Sequence, residues 1–174
     1  ADPEGFAYNL PVDDPGTLYA LHNPAPWNFA TFRVNRERFT YPARMPAGRG
    51  AATVPWTIDS LRALVRPVAE FAARHRIAPH RIVASEFQCD RRVGGAAEYM
   101  TDMMRIYRDA GWHWSFYEFR PEGGFTGFDY EIAANARFGE RYWLEDSLGH
   151  DVEALKRRSV TPIWRAIRSE LVRK

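Results

Sequence analysis

The sequence predicts an α/β fold in which parallel strands are covered by helices. Short strand-like runs alternate along the chain with segments of helical periodicity, which is the order typical of parallel sheets. The strand-like runs are also almost continuously apolar, as expected of strands buried on both faces. With 174 residues, 45% of them hydrophobic, residues 1–174 can bury a core as one domain or as part of a larger one.

The first predicted strand is Thr17–His22, a mostly apolar run that follows an irregular, proline-containing segment over residues 1–16. It stops at Asn23, because the two prolines Pro24 and Pro26 cannot donate to a sheet ladder. Residues 23–56 contain further prolines and glycines without clear periodicity. We expect an irregular rim here rather than a helix, since loops this long in compact domains are often functional.

A helix is predicted from Asp59 to about Arg76, where apolar residues recur at helical spacing and Pro67 predicts a kink. The second strand follows at Ile82–Glu86. Gly94 and Gly95 then open a second helix, which ends at Gly111.

The third predicted strand is His113–Glu118, and a loop containing Pro121 and several glycines follows it. A last helix is predicted to begin near Ser159–Pro162, with the proline in the tolerated first turn. Three strands are few for an α/β sheet, which favours a part of a larger fold.

Charge and hydropathy argue against nucleic acid and membrane as partners. The chain has 24 basic and 22 acidic residues, a net charge of only +2. Its densest basic run, Lys156–Arg158, lies beside Asp151 and Glu153 and is typical of a solvated helix face rather than a binding stripe. The sequence has no apolar run of membrane-spanning length.

The sequence predicts neither a metal site nor a cofactor. Cys89 is the only cysteine, and His75 and His80 lack a third ligand at useful spacing. None of the glycine-rich nucleotide-binding motifs occurs in the chain, and neither does a serine-hydrolase elbow.

Two strand ends carry polar groups that could form a site. Glu86 and His22 lie at the carboxyl ends of their strands, and functional sites of parallel α/β proteins lie at that end. A carboxylate there can act as a nucleophile or an acid, and an imidazole can orient it. Each residue alone is equally consistent with a structural role. The aromatic residues, 14% of the chain, can fill the core or stack on sugar rings.

Two segments together resemble glycoside hydrolase family five, the cellulase family. Val83–Phe87 (VASEF) is similar to the strand that carries the nucleophile in that family, which maps to Glu86. Gly111–Arg120 (GWHWSFYEFR) is similar to its last strand, with Tyr117 at a sugar-lining aromatic position and Gly127–Glu131 as the following segment. Upstream, His22 matches the histidine of the family's sixth-strand motif.

The resemblance covers about residues 5–172 and corresponds to the last three strands of a (β/α)8 TIM barrel. It implies that this chain is the carboxyl-terminal portion of such a barrel. Pro24 departs from the tyrosine of the sixth-strand motif, and the Asn-Glu-Pro motif that supplies the family's acid/base has no counterpart here.

The resemblance implies a retaining hydrolase of β-linked glucan or mannan, with Glu86 and His22 catalytic and Trp27, Trp114 and Tyr117 binding sugar. The acid/base would lie outside this chain, and a second chain that completes the barrel is one way to supply it. A non-catalytic glycosidase-like module that binds sugar or a protein is the alternative. Secretion is typical of the family, although the sequence itself does not indicate a location.

Overall fold

The structure, a computed structural model, describes residues 1–47, 50–120, 126–132 and 159–172. The basic run at Lys156–Arg158 and most of the loop that begins at Pro121 lie outside the described residues. The regular elements, in chain order, are β1 (Tyr19–Asn23), α1 (Trp27–Ala30), α2 (Phe32–Asn35), β2 (Ala43–Pro46), β3 (Thr53–Trp56), α3 (Ile58–Arg74), β4 (Ile82–Phe87), α4 (Ala96–Asp109), β5 (His113–Trp114) and α5 (Pro162–Leu171).

The main sheet has three parallel strands in the order β1-β4-β5. Helices α3 and α4 pack on it through buried faces, and α5 packs on α4. The predicted fold class, α/β with parallel strands covered by helices, is therefore confirmed. The buried side chains that fill the layer between sheet and helices include Leu21, Val68, Phe71, Tyr99, Met103 and Tyr107.

Strands β1 and β4 each end one residue later than predicted, and two other strand boundaries differ more. Strand β1 begins at Tyr19 rather than Thr17, because the Thr17 carbonyl accepts a hydrogen bond from the Arg81 side chain instead of joining the ladder. Strand β5 is only His113–Trp114, although the amides of Ser115 and Tyr117 still donate to β4 carbonyls. Further along, the Tyr117 carbonyl accepts a hydrogen bond from the Tyr130 hydroxyl, so a side chain takes the place of a neighbouring strand at this carbonyl.

The outer edge of β1 is partly covered by the first residue of the chain. The Ala1 amino group donates to the Ala20 carbonyl at 3.2 Å, and the Ala1 carbonyl accepts from the His22 amide at 2.9 Å. These two bonds reach residues on either side of Leu21, as in a parallel ladder. Ala1 therefore extends the hydrogen bonding of the sheet by one position.

The segment over residues 23–56 is more ordered than predicted. No regular helix spans residues 30–46, as expected, but α1 and α2 form single helical turns there. In addition, β2 and β3 pair as an antiparallel two-stranded sheet. Its strands have four residues each and contain Pro46 and Pro55, so this pair of strands has no clear signal in the sequence. Proline is tolerated there because both strands of such a pair are edge strands.

The predicted helices form at nearly the expected boundaries. Pro67 lies within α3, and Gly95, with positive φ, immediately precedes α4. Helix α5 begins with Pro162 in its first turn, and the Thr161 hydroxyl accepts from the Trp164 amide as its N-cap. Within the described ranges, every helix is too short or too polar to cross a lipid bilayer.

Candidate active site

Glu86 and His22 face each other at the carboxyl end of the sheet. A shift of register between Leu21 and His22 places His22 opposite Glu86 rather than Ser85. The His22 Nδ1 atom lies 3.7 Å from the Glu86 Oε2 atom. Their side chains are 57% and 38% exposed, so both are open to solvent. This separation is longer than a hydrogen bond, so the two side chains form an ion pair only when the imidazole is protonated.

An open cleft of about 310 Å³ lies beside this pair. Strand β4 and the segment after it supply Glu86, Gln88 and Asp90, whose alternation continues the period of two of a strand. The other lining residues come from three parts of the chain. They are Trp27, Thr31 and Arg33 in or beside α1 and α2, Arg92 after β4, and Tyr117, Gly127 and Phe128 after β5.

Asp90 and Arg92 form a buried ion pair in the wall of the cleft. The Arg92 guanidinium donates to both Asp90 oxygens, at 2.8 and 2.6 Å, and the two side chains are only 5% and 10% exposed. The guanidinium also lies 4.4 Å from the centre of the Phe32 ring. Bidentate pairing neutralises the Asp90 carboxylate and fixes its direction. Asp90 is therefore part of the wall rather than a free acid.

Gly127 packs against this ion pair. A Cβ atom at position 127 would lie 2.2 Å from Asp90 Oδ2 and 3.0 Å from an Arg92 nitrogen. In addition, the Gly127 carbonyl accepts a hydrogen bond from the Arg91 amide at 2.8 Å. The cleft thus closes on one side by direct contact between two backbone segments.

Tyr117 forms the end of the cleft nearest to β5. Its ring meets the Phe128 ring edge-on, with centroids 5.5 Å apart. Burial raises the pKa of the Tyr117 hydroxyl, and the charges of Glu118 and Glu86 raise it further. The phenol therefore stays protonated near neutral pH and can donate a hydrogen bond.

Glu118, the neighbour of Tyr117, is a half-buried carboxyl among other acids. Burial raises its pKa most, the interaction with the Tyr117 side chain opposes this increase, and the charges of Asp129 and Glu86 add to it. The Glu118 Oε1 atom is buried, and no hydrogen-bond partner for it exists among the described residues. The Oε1 atom of Gln88, in the cleft wall, is likewise buried without a hydrogen-bond partner among the described residues.

Four of the five predicted site residues line or flank the cleft: Glu86, His22, Trp27 and Tyr117. Trp114 instead packs edge-on against Phe87 at 6.0 Å, within the core layer, and is not among the lining residues. The strand position explains this, because alternate residues of β5 and its extension point to opposite faces.

Gln88 and the structural role of Asp90 were not predicted, and Arg120, which lies close to Glu118 in the sequence, pairs with Glu131 instead. Continuing the period of two beyond Glu86 would have found Gln88 and Asp90. No cluster of three or more metal-ligating side chains occurs in residues 1–47, 50–120, 126–132 and 159–172.

Comparisons with known proteins show a likeness in fold alone. No protein-family model matches the chain, and no curated protein does either. A solved structure described as an endoglucanase superposes with a TM-score of 0.55 at 17% identity, over 75% of this chain and 39% of that one. A hyperthermophilic endo-β-1,4-glucanase, solved in complex with substrate, gives 0.54 at 17% identity, over 86% and 44%. The chain thus spans less than half of the length of these two structures, as a part of a larger α/β fold would.

Proposed function

We propose that this chain is the carboxyl-terminal part of a (β/α)8 glycoside hydrolase of the cellulase type and supplies its nucleophile, Glu86. The proposal depends on one observation: the Glu86 carboxylate stands at the carboxyl end of a parallel strand, beside His22, in an open cleft. The likeness in fold to two endoglucanases favours a β-linked glucan as the substrate, and the resemblance in sequence adds mannan as a second choice.

In this mechanism the Glu86 carboxylate attacks the anomeric carbon and forms a glycosyl ester as the glycosidic bond breaks. The leaving oxygen takes a proton from a second carboxyl group, and water later hydrolyses the ester. His22 would orient Glu86. Trp27 and Tyr117, which line the cleft, would present ring faces to the sugar, with Trp114 supporting the strand behind them.

The proton donor of the first step is the part that the cleft lacks. A retaining enzyme needs its two carboxyl groups roughly 5–5.5 Å apart. Besides Glu86, the cleft lining contains one carboxylate, Asp90, and Arg92 binds it through both oxygens. Among the described residues the cleft therefore offers no acid/base. Because the Asn-Glu-Pro motif has no counterpart in the sequence, we propose that the acid/base lies on polypeptide outside this chain, either elsewhere in the same protein or on a second chain.

The alternative is a non-catalytic module that binds sugar or a protein. The cleft lining favours this alternative, because a cleft in which Glu86 is the one available carboxylate among the described residues can bind a ligand without cleaving it. The two proposals differ in whether Glu86 reacts, so a covalent trap distinguishes them.

The test uses a 2-fluoro β-cellobioside with a dinitrophenyl leaving group, which needs no proton from an acid. The purified chain is incubated with this reagent, and mass spectrometry locates any label. Glu86→Gln is the test variant, and Glu70→Gln, an exposed glutamate on α3, is the matched control. Label on Glu86, lost in Glu86→Gln and kept in Glu70→Gln, supports the hydrolase.

The other outcomes are equally informative. Label on Asp90 or Glu118 would contradict the assignment of Glu86. Absence of label together with measurable cello-oligosaccharide binding would favour the non-catalytic module. Neither label nor binding would contradict both proposals. With an ordinary fluorogenic glycoside, whose leaving group needs protonation, we expect hydrolysis to be slower by ~10²–10⁴-fold than in a completed enzyme.

A further inference from the structure

Three amide side chains are buried among the described residues: those of Asn23, Asn35 and Gln88. In both asparagines, the nitrogen and the oxygen of the amide form hydrogen bonds within the fold. The Asn35 side chain donates to the carbonyls of Phe29 and Phe39 and accepts from the Phe39 amide, at 3.1, 2.9 and 2.8 Å. Asn23 and Asn35 therefore stabilise the fold.

Gln88 differs because its side-chain oxygen has no such bond. The residue is only 7% exposed, and its Oε1 atom is buried without a hydrogen-bond partner among the described residues. A buried acceptor without a partner lowers stability, which is why most buried polar groups are paired. Gln88 also lines the cleft. The fold thus gains little from this oxygen, and the terminal torsion that orients the amide is soft.

Gln88 lies on the same face of the chain as the proposed nucleophile. Glu86, Gln88 and Asp90 all line the cleft, whereas the intervening Phe87 and Cys89 are fully buried in the core. This alternation continues the period of two of strand β4. Of the two carboxylates, Glu86 is open to solvent, and Asp90 is already paired within the wall. Gln88 stands between them as a neutral group that can both donate and accept.

A sugar hydroxyl is a ligand group that suits this amide. It has one proton to donate and lone pairs with which to accept, so it can pair with the amide oxygen or with the amide nitrogen. We infer that Gln88 is a specificity-determining residue of the cleft, whose side-chain amide forms a hydrogen bond with a hydroxyl group of the sugar bound beside Glu86. The inference depends on the proposed function, because it takes a sugar as the ligand.

The first experiment needs no ligand and compares two variants by urea unfolding. Gln88→Met keeps the length of the side chain and removes the buried oxygen, so the unfolding midpoint should stay the same or rise. Asn35→Leu should lower the midpoint, because the groups that Asn35 binds would stay buried without partners. A midpoint that falls as far in Gln88→Met as in Asn35→Leu would show that the amide is structural and would overturn the inference.

The second experiment observes the Gln88 amide directly. Gln88 is the only glutamine of the chain, so labelling glutamine side chains with ¹⁵N gives a single amide group in the NMR spectrum. We expect its two proton signals to shift as cellotetraose is added, in the wild-type chain and in Tyr8→Ala, whose altered residue is 88% exposed and outside the cleft lining. Binding of cellotetraose, detected by calorimetry, that leaves the Gln88 signals in place would contradict the inference.

The third experiment identifies the hydroxyl. Calorimetry measures the binding of cellotetraose and of analogues that each lack one hydroxyl group. We expect Gln88→Met to bind cellotetraose about fivefold more weakly than the wild-type chain, the value of roughly one net hydrogen bond. One analogue should bind the wild-type chain more weakly by a similar factor, and Gln88→Met should not distinguish it from cellotetraose. Unchanged affinity in Gln88→Met, or discrimination among the analogues equal to that of the wild-type chain, would overturn the inference.

These results separate the inference from the proposed function. Cellotetraose binding that depends on Gln88, without covalent labelling of Glu86, would support the inference and contradict the catalytic proposal. Labelling of Glu86 together with binding that does not depend on Gln88 would contradict the inference alone. Absence of both labelling and binding in the wild-type chain would contradict the proposed function and, with it, the inference.

Discussion

The Nδ1 atom of His22 lies 3.7 Å from the Oε2 atom of Glu86, across two neighbouring parallel strands. The pair depends on one irregularity, the shift of register between Leu21 and His22. A bulge of this kind re-aims the side chains that follow it, and Asn23 accordingly pairs with Phe87. Without it, His22 would lie opposite Ser85.

The first prediction concerns Glu86→Gln. The side chain is 38% exposed and its pairing with His22 is open to solvent, so the free energy of unfolding should change by less than about 1 kcal/mol. Chemical denaturation measures this. The same variant should lose covalent labelling completely, because the amide is no longer a nucleophile. A large loss of stability in Glu86→Gln would mean that this carboxylate holds the fold together.

The second prediction concerns Trp27, whose side chain lines the cleft while the residue remains 51% exposed. Trp27→Ala should weaken cellotetraose binding by about tenfold, since large aromatic contacts often contribute roughly 1.4 kcal/mol or more. The melting temperature should remain nearly unchanged. Tyr8→Ala is the matched control, because Tyr8 is 88% exposed and is not part of the lining. Equal effects of the two variants on binding would argue against stacking of a sugar ring on the Trp27 side chain.

The third prediction concerns the buried ion pair. Asp90→Ala leaves the Arg92 guanidinium buried without its bidentate partner, and removing one member of such a pair typically costs about 3–5 kcal/mol. Asp59→Ala removes a comparable but exposed partner of Arg62 and should cost less than about 1 kcal/mol. Urea unfolding of both variants makes the comparison. Similar costs would show that the Asp90–Arg92 pair is solvated in solution.

The elements that the sequence predicted correctly are those whose signal is local. Helix α4 shows its buried face as a simple recurrence of Met100, Met103 and Tyr107 along the sequence. Strand β4 is an apolar run that can be recognised in the sequence. Glu86 lies at its carboxyl end, and functional sites of parallel α/β proteins lie at that end, so Glu86 could be proposed as a site residue. Hydrophobic periodicity and strand ends can both be read within a few residues, so this part of the site was predictable.

The features that the sequence did not reveal depend on distant contacts. The interaction of Glu118 with Asp129 depends on a segment that lies further along the chain, where the Tyr130 hydroxyl donates to the Tyr117 carbonyl. The register shift before His22 belongs to the pairing of β1 with β4, about sixty residues further along the chain. Trp114 and Tyr117 were both plausible sugar contacts because periodicity along a strand does not say which face meets the cleft.

The fourth prediction concerns Gly127→Ala. The added Cβ would lie 2.2 Å from Asp90 Oδ2, so the backbone or the ion pair must move. Overpacking of this kind costs about 1–3 kcal/mol, which thermal unfolding detects. Gly16→Ala, where the nearest atom would be 3.4 Å from the new Cβ, should be nearly neutral. In the Asp90→Ala background the Gly127→Ala cost should fall, because the clashing oxygen is gone. Purely additive costs would contradict the contact.

The last prediction concerns the dependence of stability on pH. Burial and the neighbouring acids raise the pKa of Glu118 above its ordinary value of 4.5, so the folded chain holds this proton more tightly than the unfolded chain does. The stabilising contribution of the proton is therefore fully present below pH 4.5 and is lost as the pH rises through the raised value. Glu118→Gln cannot ionise and keeps its contribution throughout. The free energy of unfolding of Glu118→Gln, relative to wild type, should accordingly increase across this pH range and level off above it. Glu70→Gln, an exposed substitution of the same kind, should show no such trend. Urea unfolding at intervals of half a pH unit provides the curves, and a difference between Glu118→Gln and wild type that does not vary with pH would show that Glu118 ionises as freely in the folded chain as in the unfolded one.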